Sequence, residues 1–94
     1  MDFQIRITEA ALADFEEILA YSWANFPTTG ERFGNAILNH IDLLESFPYI
    51  GRPAEGRPGV RQIMQTPILI YYRVHEAPNF VEVLHFRSRH YRAF

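Results

Sequence analysis

The tightest constraint on this chain is a change of hydrophobic period part way along it. Through residues 9–44 apolar side chains recur every three or four positions, whereas from Val60 to Phe86 they alternate. Between the two blocks lie Pro48, Gly51, Pro53, Gly56, Pro58 and Gly59, a density of breakers that predicts an irregular connection with Arg52 and Arg57 exposed on it. A helical half must therefore hand over to a strand half, and both must bury one apolar side.

Before the helices, Phe3, Ile5 and Ile7 alternate with Gln4 and Arg6 and predict a half-buried strand. Thr8 can cap the following helix, with Glu9 in its favourable first turn. Leu12, Phe15, Ile18, Leu19 and Trp23 make the expected apolar stripe over residues 9–25, which Pro27 stops. Thr28 and Glu31 fit a capping box ahead of a second helix, whose stripe is Phe33, Ile37, Ile41 and Leu44, with Ala36 and His40 beside it and Pro48 as its bound. A link of a few residues predicts an antiparallel helical hairpin. Two short links, Gln65-Thr66-Pro67 and Glu76-Ala77-Pro78-Asn79, then predict two β-hairpins. The expected architecture is α+β, in the order β-α-α-β-β-β, with the helical hairpin packed on an antiparallel sheet as a single domain over residues 1–94.

Ninety-four residues bury roughly 60–70% of their unfolded surface, enough for one core. Cysteine is absent, which removes disulfides and thiolate chemistry, and the four histidines lack metal-ligand spacing. No metal or cofactor is expected. No apolar run approaches the ~20 residues of a bilayer crossing and no leader pattern opens the chain, so the expectation is a cytoplasmic protein without membrane contact.

Nine arginines and no lysine oppose eleven acids, giving a net charge of −2. Phosphate-neutralising nucleic-acid binders are usually basic, and this chain is not. Its charge is segregated, however. Arg6 and Arg32 are the only cations of residues 1–50, whereas seven arginines in residues 51–94 face Glu55, Glu76 and Glu82 alone.

A turn centred between Ala77 and Pro78 predicts Arg73 opposite Glu82, Tyr71 opposite Leu84 and Leu69 opposite Phe86, with Arg61 near Tyr71. One sheet face then holds Arg61, Arg73 and Glu82 with Leu69, Tyr71, Leu84 and Phe86. The other holds Ile70, Tyr72, Val74, Val81, Val83, His85 and Arg87, and a one-residue slip exchanges them. Arg73 reads first as a cross-strand partner of Glu82, Arg61 as free to face a ligand, His85 as a satisfied sheet histidine, and His75 as solvated. At the chain's end, Arg87, Arg89 and Arg92 alternate with Ser88, His90 and Tyr91. Guanidiniums hold phosphate or carboxylate, imidazole moves protons near neutral pH, and a phenol stacks or donates. Such a group serves either metal-free phosphodiester cleavage or macromolecular recognition.

After a strand and a helical hairpin come Gly59-Val60-Arg61, Ile70-Tyr71-Tyr72-Arg73-Val74 and Val81-Glu82-Val83-Leu84-His85. In these motifs and their order the chain resembles the ParE branch of the ParE/RelE toxin superfamily. The resemblance implies the toxin of a type II toxin–antitoxin pair of the plasmid-stabilisation kind, neutralised by a cognate antitoxin in a hetero-oligomer. ParE-like toxins are associated with DNA gyrase and RelE-like toxins with cleavage of mRNA on the ribosome. Net acidity, absence of lysine, and Leu69 where many relatives carry arginine favour the gyrase side. The target- or antitoxin-binding residues implied are Arg61, Arg73, Arg87, Arg89, His90, Tyr91 and Arg92. Either His85 or Ser88 matches the family's C-terminal histidine. The His90-Tyr91 pair is similar to that of some ribosome-dependent nucleases and keeps open an endoribonuclease using Arg61, His85, Arg87, Arg89, His90 and Tyr91; a weakly toxic module that only binds its antitoxin is the other alternative.

Overall fold

Thr8 closes the first strand and opens the first helix, and it shows how the layers are joined. Its hydroxyl accepts from the Ala11 amide at 3.0 Å, capping the helix, while donating to the Leu84 carbonyl of the last strand at 3.2 Å. The computed structural model describes residues 2–25 and 27–88, with the side chains of residues 27–31 and 33 outside that description. Along these residues the elements are β1 (Gln4–Ile7), α1 (Glu9–Asn25), α2 (Pro27–Ser46), β2 (Arg52–Pro53), β3 (Arg61–Gln65), β4 (Ile68–Glu76) and β5 (Asn79–Ser88).

The strands form one sheet in the order β1-β5-β4-β3-β2. The sheet is mixed, because β1 runs parallel to β5 while β5, β4, β3 and β2 are antiparallel to their neighbours. The breaker-rich connection is also less irregular than its composition predicts. Arg52 and Pro53 pair with Gln62 and Arg61, and proline is tolerated there because β2 is an edge strand.

Helix α1 ends at Asn25, whose side-chain amide donates to the Tyr21 carbonyl. Pro27 does not merely stop α1; it is the first residue of α2, where its missing N–H costs nothing. Thr28 thus lies inside α2 rather than capping it. The helices fold back on each other: an added Cβ on Gly34 would stand 2.9 Å from Leu19, and Ile18 shares a core cluster with Ile37.

The buried side of α1 runs through Ala11, Ile18 and Ser22, with Phe15 partly buried. Leu12 and Trp23, expected inside, are about half exposed at 49% and 50%. On α2 the stripe holds, with Ile37, Ile41 and Leu44 buried, and the side chain of Phe33 lies outside the description. These helical residues cover Ile68, Ile70 and Tyr72 of β4 and Val81, Val83 and Phe86 of β5. Each such large apolar side chain contributes about 1.5–3 kcal/mol relative to exposure. Among the described residues no helix is long and apolar enough to cross a membrane.

One irregularity decides what the opposite sheet face carries. From the turn, β4 and β5 pair as Arg73↔Glu82 and Tyr72↔Val83, but the next pair is Tyr71↔His85, so Leu84 is an extra bulged residue. Tyr71 and Leu69 therefore stand opposite His85 and Arg87, not Leu84 and Phe86. Phe86 joins the core at 1% exposure, and by register His85 and Arg87 move to the side of Tyr71 and Arg73. The first hairpin differs by one residue too. Its turn is Thr66 and Pro67 only, so Arg61 pairs with Tyr72 and belongs to the helix side, away from Arg73.

Candidate functional site

The side of the sheet away from the helices carries Leu69, Tyr71, Arg73 and His75 from β4 opposite Arg87, His85, Glu82 and Phe80 from β5. Gln62 and Met64 of β3 extend it, as partners of Tyr71 and Leu69. Both imidazoles are engaged there. His75 Nε2 lies 3.0 Å from Glu82 Oε1, and the ring stacks on Phe80 with centroids 4.1 Å apart. It is thus held rather than merely solvated, and it takes the Glu82 carboxylate expected for Arg73. His85 Nδ1 lies 3.1 Å from Asp14 Oδ2 of α1, and the same oxygen accepts the backbone N–H of Phe86 at 3.2 Å. The satisfied sheet histidine is found, with a helix as its partner.

The guanidiniums divide into committed and uncommitted ones. Arg61 Nη1 donates to the Gly51 carbonyl at 2.6 Å and more weakly to that of Tyr49 at 3.4 Å, with the guanidinium 5.0 Å from the Tyr49 ring centre. The Tyr49 hydroxyl in turn donates to Glu76. Arg61, read from the sequence as free for a ligand, thus pins the helix-to-sheet connection. Beside it the buried Tyr72 hydroxyl accepts the Gly51 N–H at 2.8 Å. Burial pushes this phenol above the usual tyrosine value, against smaller opposing effects of the Gly51 N–H and the Arg61 charge.

Arg52, Arg57, Arg73 and Arg87 are different: among the described residues none has a carboxylate within ion-pair distance. Arg73 and Arg87 are exposed, and Arg73 passes beside Gly59, whose φ of 78° makes the turn into β3. Arg57 lies 5.1 Å over the Tyr71 ring. Arg89, His90, Tyr91 and Arg92, all expected to take part, lie outside the described residues.

Sequence reasoning missed the cluster of Arg52, Arg57, Gln62 and Tyr71, which lines a cavity of about 350 Å³. Two arginines flanking Gly56 were visible in the sequence, but nothing in the sequence shows that the 54–59 turn folds back over β4.

Two helices against a mixed sheet with this chain order are also found in solved toxin–antitoxin complexes. A chain of the chromosomal ParDE system from P. aeruginosa superposes with a TM-score of 0.77 at 22% identity, covering 92% of this chain and 95% of that one. A chain of the RelBE2 complex from Mycobacterium tuberculosis superposes with a TM-score of 0.73 at 19% identity, covering 95% and 100%. At such identities the likeness establishes the fold. The family described as "ParE toxin of type II toxin-antitoxin system, parDE" matches residues 5–91, and the chain belongs to that family. No curated protein matches it.

Proposed function

We propose that this toxin acts by binding rather than by breaking bonds: it inhibits DNA gyrase through the exposed sheet face and is neutralised in the cytoplasm by a cognate antitoxin. The observation that carries the reading is the division of side chains on that face. His75 and His85 are tied to Glu82 and Asp14, whereas Arg73 and Arg87 stand exposed, with no carboxylate within ion-pair distance among the described residues. Guanidiniums so placed suit recognition of an anionic or polar surface. The net charge of −2 fits a protein target better than a naked polyanion. Family membership and the likeness to two toxin–antitoxin complexes support the antitoxin partner.

The test is a supercoiling assay with the purified chain and gyrase. Inhibition or accumulation of cleaved DNA at micromolar dose is expected, and unaltered supercoiling contradicts the reading.

One observation favours a second reading, a metal-free endoribonuclease. Asp14 orients the His85 ring through Nδ1, as a carboxylate orients a general base, and Arg87 lies two residues on along the same face. That reading requires ribosome-bound transcripts to be cut on induction and His85→Ala to lose the cutting while remaining folded.

A further inference from the structure

Three strands contribute one row of side chains to the far side of the sheet. Arg52 of β2 stands opposite Gln62 of β3, and Gln62 opposite Tyr71 of β4, so the register turns all three to the same face. The turn after β2 adds Arg57, whose guanidinium lies 5.1 Å over the Tyr71 ring. Neighbouring strands are about 4.8 Å apart, so Arg52 and Tyr71 are anchored roughly 10 Å apart with Gln62 between them. These four residues line the cavity of about 350 Å³, with Pro53, Ala54 and Glu55 also in its wall.

We infer that this cavity is a binding site for a phosphate monoester. The dianionic phosphoryl group would lie over Gln62, between the guanidinium that enters from β2 and the one that stands over β4.

The donors are available. Neither Arg52 nor Arg57 has a carboxylate within ion-pair distance among the described residues, and Glu55, in the same wall, is no exception. Arg57 rests one face of its guanidinium on Tyr71, which fixes its plane and leaves its N–H edge for an anion.

Their arrangement selects among anions. A phosphate monoester presents three terminal oxygens and a charge of about −1.5 to −2 near neutral pH, so donors on two sides and an amide beneath can engage it together. A carboxylate offers two oxygens in one plane and a single charge, which one guanidinium satisfies. A polynucleotide strand carries diester groups on both sides of any one it places here. It would bring further phosphates towards Glu55, on a chain of net charge −2. The cavity is at the small end of the range of about 300–1,000 Å³ that holds small organic ligands, so it has room for more than a bare phosphate.

Such a site would act independently of gyrase and of the antitoxin. Its test uses the ¹⁵N-labelled full chain, titrated with thymidine 5′-monophosphate and with thymidine. Amide shifts are expected at Arg52, Arg57, Gln62 and Tyr71 with the monophosphate, and none with thymidine. Affinity for the monophosphate should fall about tenfold or more when Arg52→Gln/Arg57→Gln is the protein. Unshifted resonances elsewhere would show that the variant is folded. Inorganic phosphate and 5′-phosphorylated hexathymidylate carry the same dianion, and whichever of the three binds tightest names the source of the phosphoryl group.

Absence of shifts at millimolar monophosphate overturns the inference, as does undiminished affinity in the folded variant. Succinate binding as tightly as the monophosphate would overturn it in favour of a carboxylate. Hexathymidylate without a terminal phosphate binding as tightly as its phosphorylated form would overturn it in favour of the diester chain. Each failure leaves the gyrase reading standing, because supercoiling is measured separately.

Discussion

Tyr72, Gly51 and Arg61 join the helix-to-sheet connection to the core, and each contact has a predictable worth. The Gly51 N–H is buried against the Tyr72 hydroxyl, so Tyr72→Phe leaves a donor without its partner and should cost about 1–3 kcal/mol in urea denaturation. An unchanged midpoint would show that water replaces the phenol. Gly51→Ala should cost a similar amount for a steric reason. The new methyl would stand 2.5 Å from the Tyr72 oxygen and 2.7 Å from the Gln62 carbonyl, too close for either to remain in place. The raised pKa of Tyr72 adds a pH dependence whose sign is definite. In the alkaline range the folded state holds the phenolic proton more tightly than the unfolded chain does. The stabilisation is therefore complete below the ordinary value of about 10 and is lost as pH rises through the folded value. Between about pH 9 and pH 11 the wild type should lose more stability than Tyr72→Phe does, and equal losses in both would contradict this.

At the scale of elements, α1 protects the exposed stretch of β5. Strand β1 reaches only to Val83; beyond it Thr8 bonds the Leu84 carbonyl and Asp14 the Phe86 N–H. Asp14→Ala removes the acceptor of both Phe86 and His85. Hydrogen exchange at the Phe86 amide should speed up by one to two orders of magnitude, equivalent to about 1–3 kcal/mol, and wild-type exchange would refute the role. This region also shows how far the sequence could be read. Both helices, the three long strands and the Thr8 cap follow from periodicity and capping chemistry, because those are local. The bulge at Leu84 is not local: an unbroken alternation continues through Val81, Val83 and His85, and the extra residue is revealed only when Phe86 is needed beneath Phe15 and Ile70. The same non-locality hid the role of Arg61, whose partners are backbone carbonyls in the preceding connection, and the pairing of Arg57 with Tyr71.

Across the whole molecule, an acidic helical layer backs a sheet whose far side holds uncommitted arginines. Among the described residues Glu9, Asp14, Glu16, Glu17, Asp42 and Glu45 lie on the helices, whereas Arg73 and Arg87 lie on the far side of the sheet, so part of the segregation in sequence becomes a separation between layers. Interactions made by the exposed guanidiniums should weaken as salt rises past the range where the screening length is about 10 Å, roughly 0.1 M. The fold itself, held by Ile18, Ile37, Ile70, Tyr72 and Phe86, should not. The decisive measurement is gyrase supercoiling with Arg73→Glu/Arg87→Glu beside the wild type. Both substitutions are on exposed side chains, so the urea midpoint should be unchanged while the dose for inhibition rises about tenfold or more. Full inhibition by the folded double variant would contradict the claim that this face makes the toxic contact.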